Sequence, residues 1–206
     1  MYAGQYTWCD DGWTGSMRLK ADLSGRYLSY RFGTTHRVSA HVADDQGLVL
    51  DIHDFNGLAA QRFTGYLATE GRGLIAGYTQ WREERYGFYA RRDLPRPVAA
   101  CRSGEPEPAD FTGVYTLRCD GGPARLELLH VGDRRLTGHW RPPGGDPYQI
   151  DGETDQDDPL LVRLALSTPA GPATLTGSLF SRPKNVIAGW IDLPTARVPC
   201  YLLRIG

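Results

Sequence analysis

Three histidines, His36, His41 and His53, share a short stretch with the carboxylates Asp51 and Asp54. Imidazole and carboxylate are the donors that hold a zinc-like ion. Their spacing restricts this. Side chains alternate along a strand, so His36 and His41, an odd number of positions apart, point to opposite faces. Only His41, His53 and Asp51 can converge. A hairpin through Asp45-Gln46-Gly47 sets His41 opposite Asp51, and the positions that match them by repeat are Glu153 and Arg163. A pair that reverses sign yet stays complementary reads as a cross-strand ion pair, so no metal site is expected. His130 and His139 fall in different strands with no third partner.

Other chemistry is thinly represented. The chain has no G-x-S-x-G elbow, phosphate loop, dinucleotide fingerprint or H-E-x-x-H. Carboxylates and arginines remain for acid–base work. Asp51, Asp54, Gln80, Arg82 and Glu83 gather near aromatics in the first half; Glu127, His139, Asp151 and Asp192 are the polar groups nearest Trp140, Tyr148 and Trp190. Any of these buried in a lumen becomes a candidate acid or base. The aromatics are the better lead. Trp8, Trp13, Tyr30, Tyr66, Tyr78, Trp81 and Trp190 are the expected ligand-binding residues, with the first half carrying the site.

The elements that position them come from a duplication. Phe63-Thr64-Gly65-Tyr66-Leu67 and Ile75-Ala76-Gly77-Tyr78 recur as Leu175-Thr176-Gly177-Ser178-Leu179 and Ile187-Ala188-Gly189-Trp190. Leu48-Val49-Leu50 aligns at the same spacing with Leu160-Leu161-Val162, and Gly4-Gln5-Tyr6-Thr7 with Gly113-Val114-Tyr115-Thr116. This predicts two homologous units, 1–92 and 110–206, joined by a proline-rich linker over 93–109.

Within each unit the apolar period is two, punctuated by glycine and proline, which suits short strands. Strands are expected near 3–9, 14–22, 26–32, 36–43, 48–55, 61–69, 73–81 and 85–92. The architecture predicted is all-β: two tandem antiparallel up-and-down barrels of about eight strands, closed so that no edge is left open. Ala124–Leu129 could pass for a helix alone, but its repeat partner Met17–Asp22 reads as strand, and strand is expected in both.

Hairpin arithmetic assigns faces. A turn through Asp45-Gln46-Gly47 places Val38, Ala40, Val42, Leu48, Leu50 and Ile52 on one buried face, repeated by Ile150, Gly152, Leu160, Val162 and Leu164. The next hairpin sets Gly65 across from Gly77 and Gly177 across from Gly189. The gap between facing glycines is filled by a large side chain from another strand or left for a ligand, and filling is the preferred reading. Tyr66 and Tyr78 occupy the other face, where they join the barrels, line a cleft or cover strands.

Composition excludes whole classes. Acids and bases nearly cancel, 24 against 23, and both halves are balanced, so neither nucleic acid nor anionic membrane is an expected partner. No apolar run reaches the ~20 residues of a spanning helix, and the N-terminus lacks a signal-peptide pattern. Four cysteines are too few for a disulfide scaffold. Cys9 and Cys119 end equivalent first strands, Cys200 lies in the last strand beside Cys119 if the barrel closes, and Cys101 sits in the linker. A cytoplasmic protein with free thiols is expected, and 21 Arg to 2 Lys suits a GC-rich bacterial genome.

Each unit resembles the avidin-like members of the calycin group. The resemblance rests on Gly4-Gln5-Tyr6-Thr7-Trp8, Gly25-Arg26-Tyr27-Leu28-Ser29-Tyr30, Arg37-Val38-Ser39-Ala40, Phe63-Thr64-Gly65-Tyr66 and Thr79-Gln80-Trp81. It implies small eight-stranded barrels holding a ligand in one mouth. The biotin pattern is not kept: Phe63 and Leu175 replace a sixth-strand tryptophan, and Asp10-Asp11-Gly12-Trp13 replaces the Asn-x-x-Gly-Ser turn. Only the barrel carries over. The expected function is binding of an apolar or aromatic small molecule, without a cofactor; a homodimer is compatible with the sequence. The alternatives are a cofactor-free cyclase or isomerase of bacterial secondary metabolism, and an interaction module with filled barrels.

Overall fold

The computed structural model describes residues 2–45, 47–55, 57–68, 73–92, 104–119, 122–168 and 171–205. Two closed eight-stranded antiparallel barrels follow one another along the chain. The first comprises β1 (Gly4–Asp10), β2 (Trp13–Leu19), β3 (Ser24–Ser29), β4 (Thr35–Val42), β5 (Leu48–Phe55), β6 (Leu58–Leu67), β7 (Leu74–Trp81) and β8 (Glu84–Arg91). The second comprises β9 (Gly113–Cys119), β10 (Gly122–His130), β11 (Arg135–Arg141), β12 (Tyr148–Thr154), β13 (Leu161–Thr168), β14 (Gly171–Leu179), β15 (Val186–Asp192) and β16 (Arg197–Arg204). Each barrel closes through its first and last strands, β1 on β8 and β9 on β16. The expected strands and the strand reading of Ala124–Leu129 hold. The resemblance to calycin barrels therefore stands at the level of fold.

Alternation packs the lumens. In barrel one Trp8 stacks on Phe88 with centroids 4.6 Å apart and meets Phe63 edge-on at 4.9 Å, in one buried core with Leu48, Leu50, Ile52 and Ile75. The glycine gap is filled. A Cβ on Gly65 would stand 2.7 Å from Cζ of Phe88, and Gly65 faces Gly77 in register as predicted, as does Gly177 with Gly189. Barrel two is filled mostly by aliphatic side chains, with Tyr115, Trp140 and Phe111, the last from a short 3-10 turn (Pro108–Phe111), completing its core. Of the predicted linker, 93–103 lie outside the described residues.

One register prediction fails. The β4–β5 turn closes between Ala43 and Gly47, with the Ala43 N–H donating to the Gly47 carbonyl at 2.7 Å and Asp45 accepting from the Gly47 N–H. The turn is thus centred on residue 45, and pairing slips by two relative to the expected arrangement. His41 lies opposite Val49, and Asp51 opposite Ser39. Asp51 instead takes two hydrogen bonds from the Arg62 guanidinium on β6, at 2.9 and 3.1 Å. In barrel two Glu153 does face Arg163, but Arg163 pairs with Asp155 at 2.9 Å. Val162, not Leu160, faces Gly177 where Leu48 faces Gly65. The sign-reversed pair is therefore no pair: its two halves are not structural equivalents. Since a slip of two keeps every side chain on its own face, the predicted inward set survives, apart from Val42, which is exposed.

The barrels pack side by side through β6–β8 and β14–β16. The joint is nearly symmetric. Tyr89 and its repeat counterpart Tyr201 stack at 4.3 Å and 6°, and their neighbours Ala76 and Ala188 are both buried there with Phe180. Such a self-complementary surface is the geometry of a twofold dimer, realised here within one chain.

Candidate functional site

One end of barrel one is built by tight turns. Asp11 and Gly12 have φ of 38° and 84° between the facing residues Asp10 and Trp13. Positive φ at both centres is what a two-residue turn needs to match strand twist, and Asp-Gly meets it readily. Arg82 and Glu83, φ 50° and 73°, do the same between Trp81 and Glu84. There two ordinary side chains occupy the left-handed region, a local cost that the flanking ladder must hold. The two turns carry Trp13 and Trp81 to the rim.

Below them lies a cavity of about 340 Å³ lined by Asp10, Asp11, Trp13, Gln61, Thr79, Trp81, Tyr86 and Arg182. Seven of these come from barrel one and Arg182 from the β14–β15 connection of barrel two. A tether holds that connection over the mouth: the Asp11 carboxylate accepts from the Ser181 N–H and, at 2.6 Å, from its hydroxyl. On the wall, Gln61 donates to Thr79 Oγ1 at 3.2 Å, and Thr79 donates to the Arg62 carbonyl at 2.6 Å.

Asp10 sets the electrostatics. It is 4 % exposed, and its Oδ1 makes no hydrogen bond among the described residues. Burial pushes its carboxyl up to about 8, and the nearby charge of Asp11 adds to this. The indole N–H of Trp8 opposes the rise from close by, yet Trp8 Nε1 falls short of hydrogen-bond geometry, as do the hydroxyls of Tyr27 and Ser29. These buried polar groups belong to adjoining strands. Gly15 pairs with both Trp8 and Ser29, and a Cβ on it would stand 2.5 Å from the Tyr27 ring. Buried polar groups without partners are rare in native proteins and call for a reason. Asp11 is also raised by burial, but the Ser181 hydrogen bonds and Arg182 hold it back toward the charged form. Burial raises the Tyr86 hydroxyl, which donates to Glu84.

The repeat supplies an internal control. By register, Cys119 stands where barrel one has Asp10, and Cys200 where it has Phe88. Gln61, Thr79, Trp81 and Tyr86 correspond to Ala173, Ile191, Leu193 and Val198. Each of these five wall groups, Asp10 included, is replaced by an apolar residue or a thiol, while Asp11 keeps its carboxylate counterpart in the sequence as Asp120; this end of barrel two is capped by Trp140, whose indole donates to the Ser167 carbonyl at 2.9 Å.

No family model matches the chain, and no curated protein or solved structure gives a significant match. The site must be read from its own residues.

The aromatic residues expected to bind ligand fall into three places. Trp13 and Trp81 line the cavity. Trp8 is fully buried in the core beneath. Tyr66, Tyr78 and Trp190 meet at the joint between barrels, each tyrosine ring 5.8 Å from the indole, with Arg197 donating to the Tyr66 hydroxyl at 2.6 Å. Tyr30 stands in the β3–β4 turn, where its N–H donates to Thr14. Asp10, Asp11, Gln61, Thr79, Tyr86 and Arg182 went unrecognised in the sequence as site residues; the Asp-Gly turn after an inward-facing aspartate was the available signal. The histidines lie elsewhere. His53 Nε2 is 2.8 Å from Ser39 Oγ, and among the described residues no three metal-binding side chains converge.

Proposed function

We propose that the mouth of barrel one binds a small aromatic molecule. The observation that carries this reading is the cavity itself: about 340 Å³, walled by three aromatic rings with a few convergent polar groups, in the size range and chemical style of small-molecule sites. Barrel two has Ala173, Ile191, Leu193 and Val198 where barrel one has Gln61, Thr79, Trp81 and Tyr86, which supports a division of labour in which one copy holds the ligand and the other braces it. Replacing Trp81 with alanine removes one wall without touching the core. Affinity for naphthalene-based ligands, followed by fluorescence, is then expected to fall about tenfold, since a ring contact of this kind contributes about 1 kcal/mol or more. Trp190→Ala, at the joint, leaves it unchanged. Equal losses in both variants would move the site away from the mouth.

A second reading, a cofactor-free cyclase or isomerase, is favoured by one observation. Asp10 is a buried titratable group that lines the mouth cavity, its carboxyl lifted by burial to about 8, near the pH at which a general acid works best. In that case the barrel would supply orientation and Asp10 the proton.

A further inference from the structure

We infer that the barrel-one mouth selects neutral aromatic ligands bearing a carbonyl oxygen, which Asp10 binds as a hydrogen-bond donor from the floor of the cavity. This rests on the proposed binding function and names the chemical class that the site takes.

The geometry carries it in three steps. Asp10 lines the cavity, is almost wholly buried, and has a carboxyl oxygen with no hydrogen-bond partner among the described residues. A carboxyl so placed must be neutral or must meet a cation. The rim decides between these. Arg31 lies 4.4 Å over the Trp13 ring and Arg182 5.8 Å from it, while Arg82 lies 5.8 Å from the Trp81 ring. Guanidinium groups thus flank both rim indoles, and their field disfavours an incoming ammonium ion. The carboxylates nearby are committed, Asp11 to Ser181 and Glu84 to the Tyr86 hydroxyl. A neutral Asp10 offers one strong O–H donor, with the Trp8 N–H beside it, and a carbonyl oxygen is the acceptor that satisfies such donors. The lining rings accept the attached aromatic body.

The groups that act on Asp10 as pH changes are its neighbours Cys9 and Asp11 on and after β1, Tyr27 on β3, Tyr86 on β8, and Arg182 from barrel two. Burial holds Cys9, Tyr27 and Tyr86 neutral well beyond pH 8. Asp11, also raised by burial, is drawn toward its charged form by the Ser181 hydrogen bonds and Arg182, which leaves Asp10 as the group whose proton is lost as pH rises from 6.5 to 9.

The test uses three probes on the intact protein: a naphthyl ketone whose emission reports hydrogen bonding to its carbonyl, its hydrocarbon analogue, and the corresponding naphthylmethylamine. The wild type is expected to bind the ketone about tenfold more tightly than the hydrocarbon at pH 6.5, in line with one good hydrogen bond, and to lose that preference by pH 9. Asp10→Asn keeps an N–H donor, so it retains the preference and loses the pH dependence. Asp10→Leu abolishes the preference. Ketone and hydrocarbon bound equally at every pH would overturn the donor inference while leaving the binding site standing, as would a preference for the amine. Binding of none of the three probes would overturn the reading of the mouth itself. The wild-type comparison needs no variant to fold.

Discussion

Asp10→Asn should make the protein more stable, and by an amount that grows with pH. In the folded chain burial lifts the Asp10 carboxyl from its ordinary 3.8 to about 8. The folded state therefore holds this proton more tightly than the unfolded state does. Below pH 4 both states are protonated and the group costs nothing. Between pH 4 and 8 the unfolded chain has lost the proton and the folded chain has not, so stability falls by about 1.4 kcal/mol per pH unit. The loss reaches about 4 kcal/mol at pH 7 and levels off near 6 kcal/mol above pH 8. Against the ~5–15 kcal/mol available to a folded domain, this is a large fraction. Asparagine has nearly the same shape and does not titrate. Urea unfolding of both proteins at pH 4.5, 6, 7.5 and 9 gives the comparison. Asp45, Asp51 and Asp155, held below the usual carboxylate range by their hydrogen bonds, titrate in acid and are common to both. The difference should be small at pH 4.5 and several kcal/mol in favour of the variant at pH 9. Parallel curves would refute a buried, neutral Asp10 and the donor role built on it.

Two further outcomes test the frame around the site. Lys184, with its side chain 5 % exposed, bonds Asp110 and the Glu105 carbonyl, each at 2.7 Å. Its replacement by alanine strips a buried charge partner and is expected to cost about 2 kcal/mol in urea unfolding; an unchanged midpoint would show the contact to be idle. Burial pushes the Cys9 thiol up to about 12 and raises Cys200 strongly, so both should resist an aromatic disulfide reagent at pH 8. Cys9 and Cys200 should therefore react only after unfolding, and their rapid modification in the native protein, read by peptide mapping, would contradict that.

The fold was legible because alternation and duplication say the same thing twice. Facing glycines, inward leucines and strand order all followed from parity. Register within β4–β5 did not, because a shift of two residues preserves parity and leaves the apolar pattern unchanged; only the turn hydrogen bonds around Asp45 fix it. The site was half legible. Trp13 and Trp81 stand out as aromatics, but Gln61 and Thr79 look like any polar strand residues until barrel closure brings them to Asp10. Arg182 belongs to the other repeat, and nothing local predicts that Asp11 will draw its loop across the mouth. Tyr66, Tyr78 and Trp190 carried the same aromatic signal as the rim tryptophans, and the structure uses them to join the barrels.

The five tryptophans are distributed so that one spectrum tests the central claim. Trp8 lies under the cavity, Trp13 and Trp81 on its rim, Trp140 in barrel two and Trp190 at the joint. Indole N–H resonances, assigned through single Trp→Phe variants, would be followed while a naphthyl ketone is titrated into the native protein. The account predicts that Trp13 and Trp81 move together and saturate, with Trp8 following and Trp140 and Trp190 still. Movement centred on Trp190 with the rim pair unmoved would place the site between the barrels and contradict it.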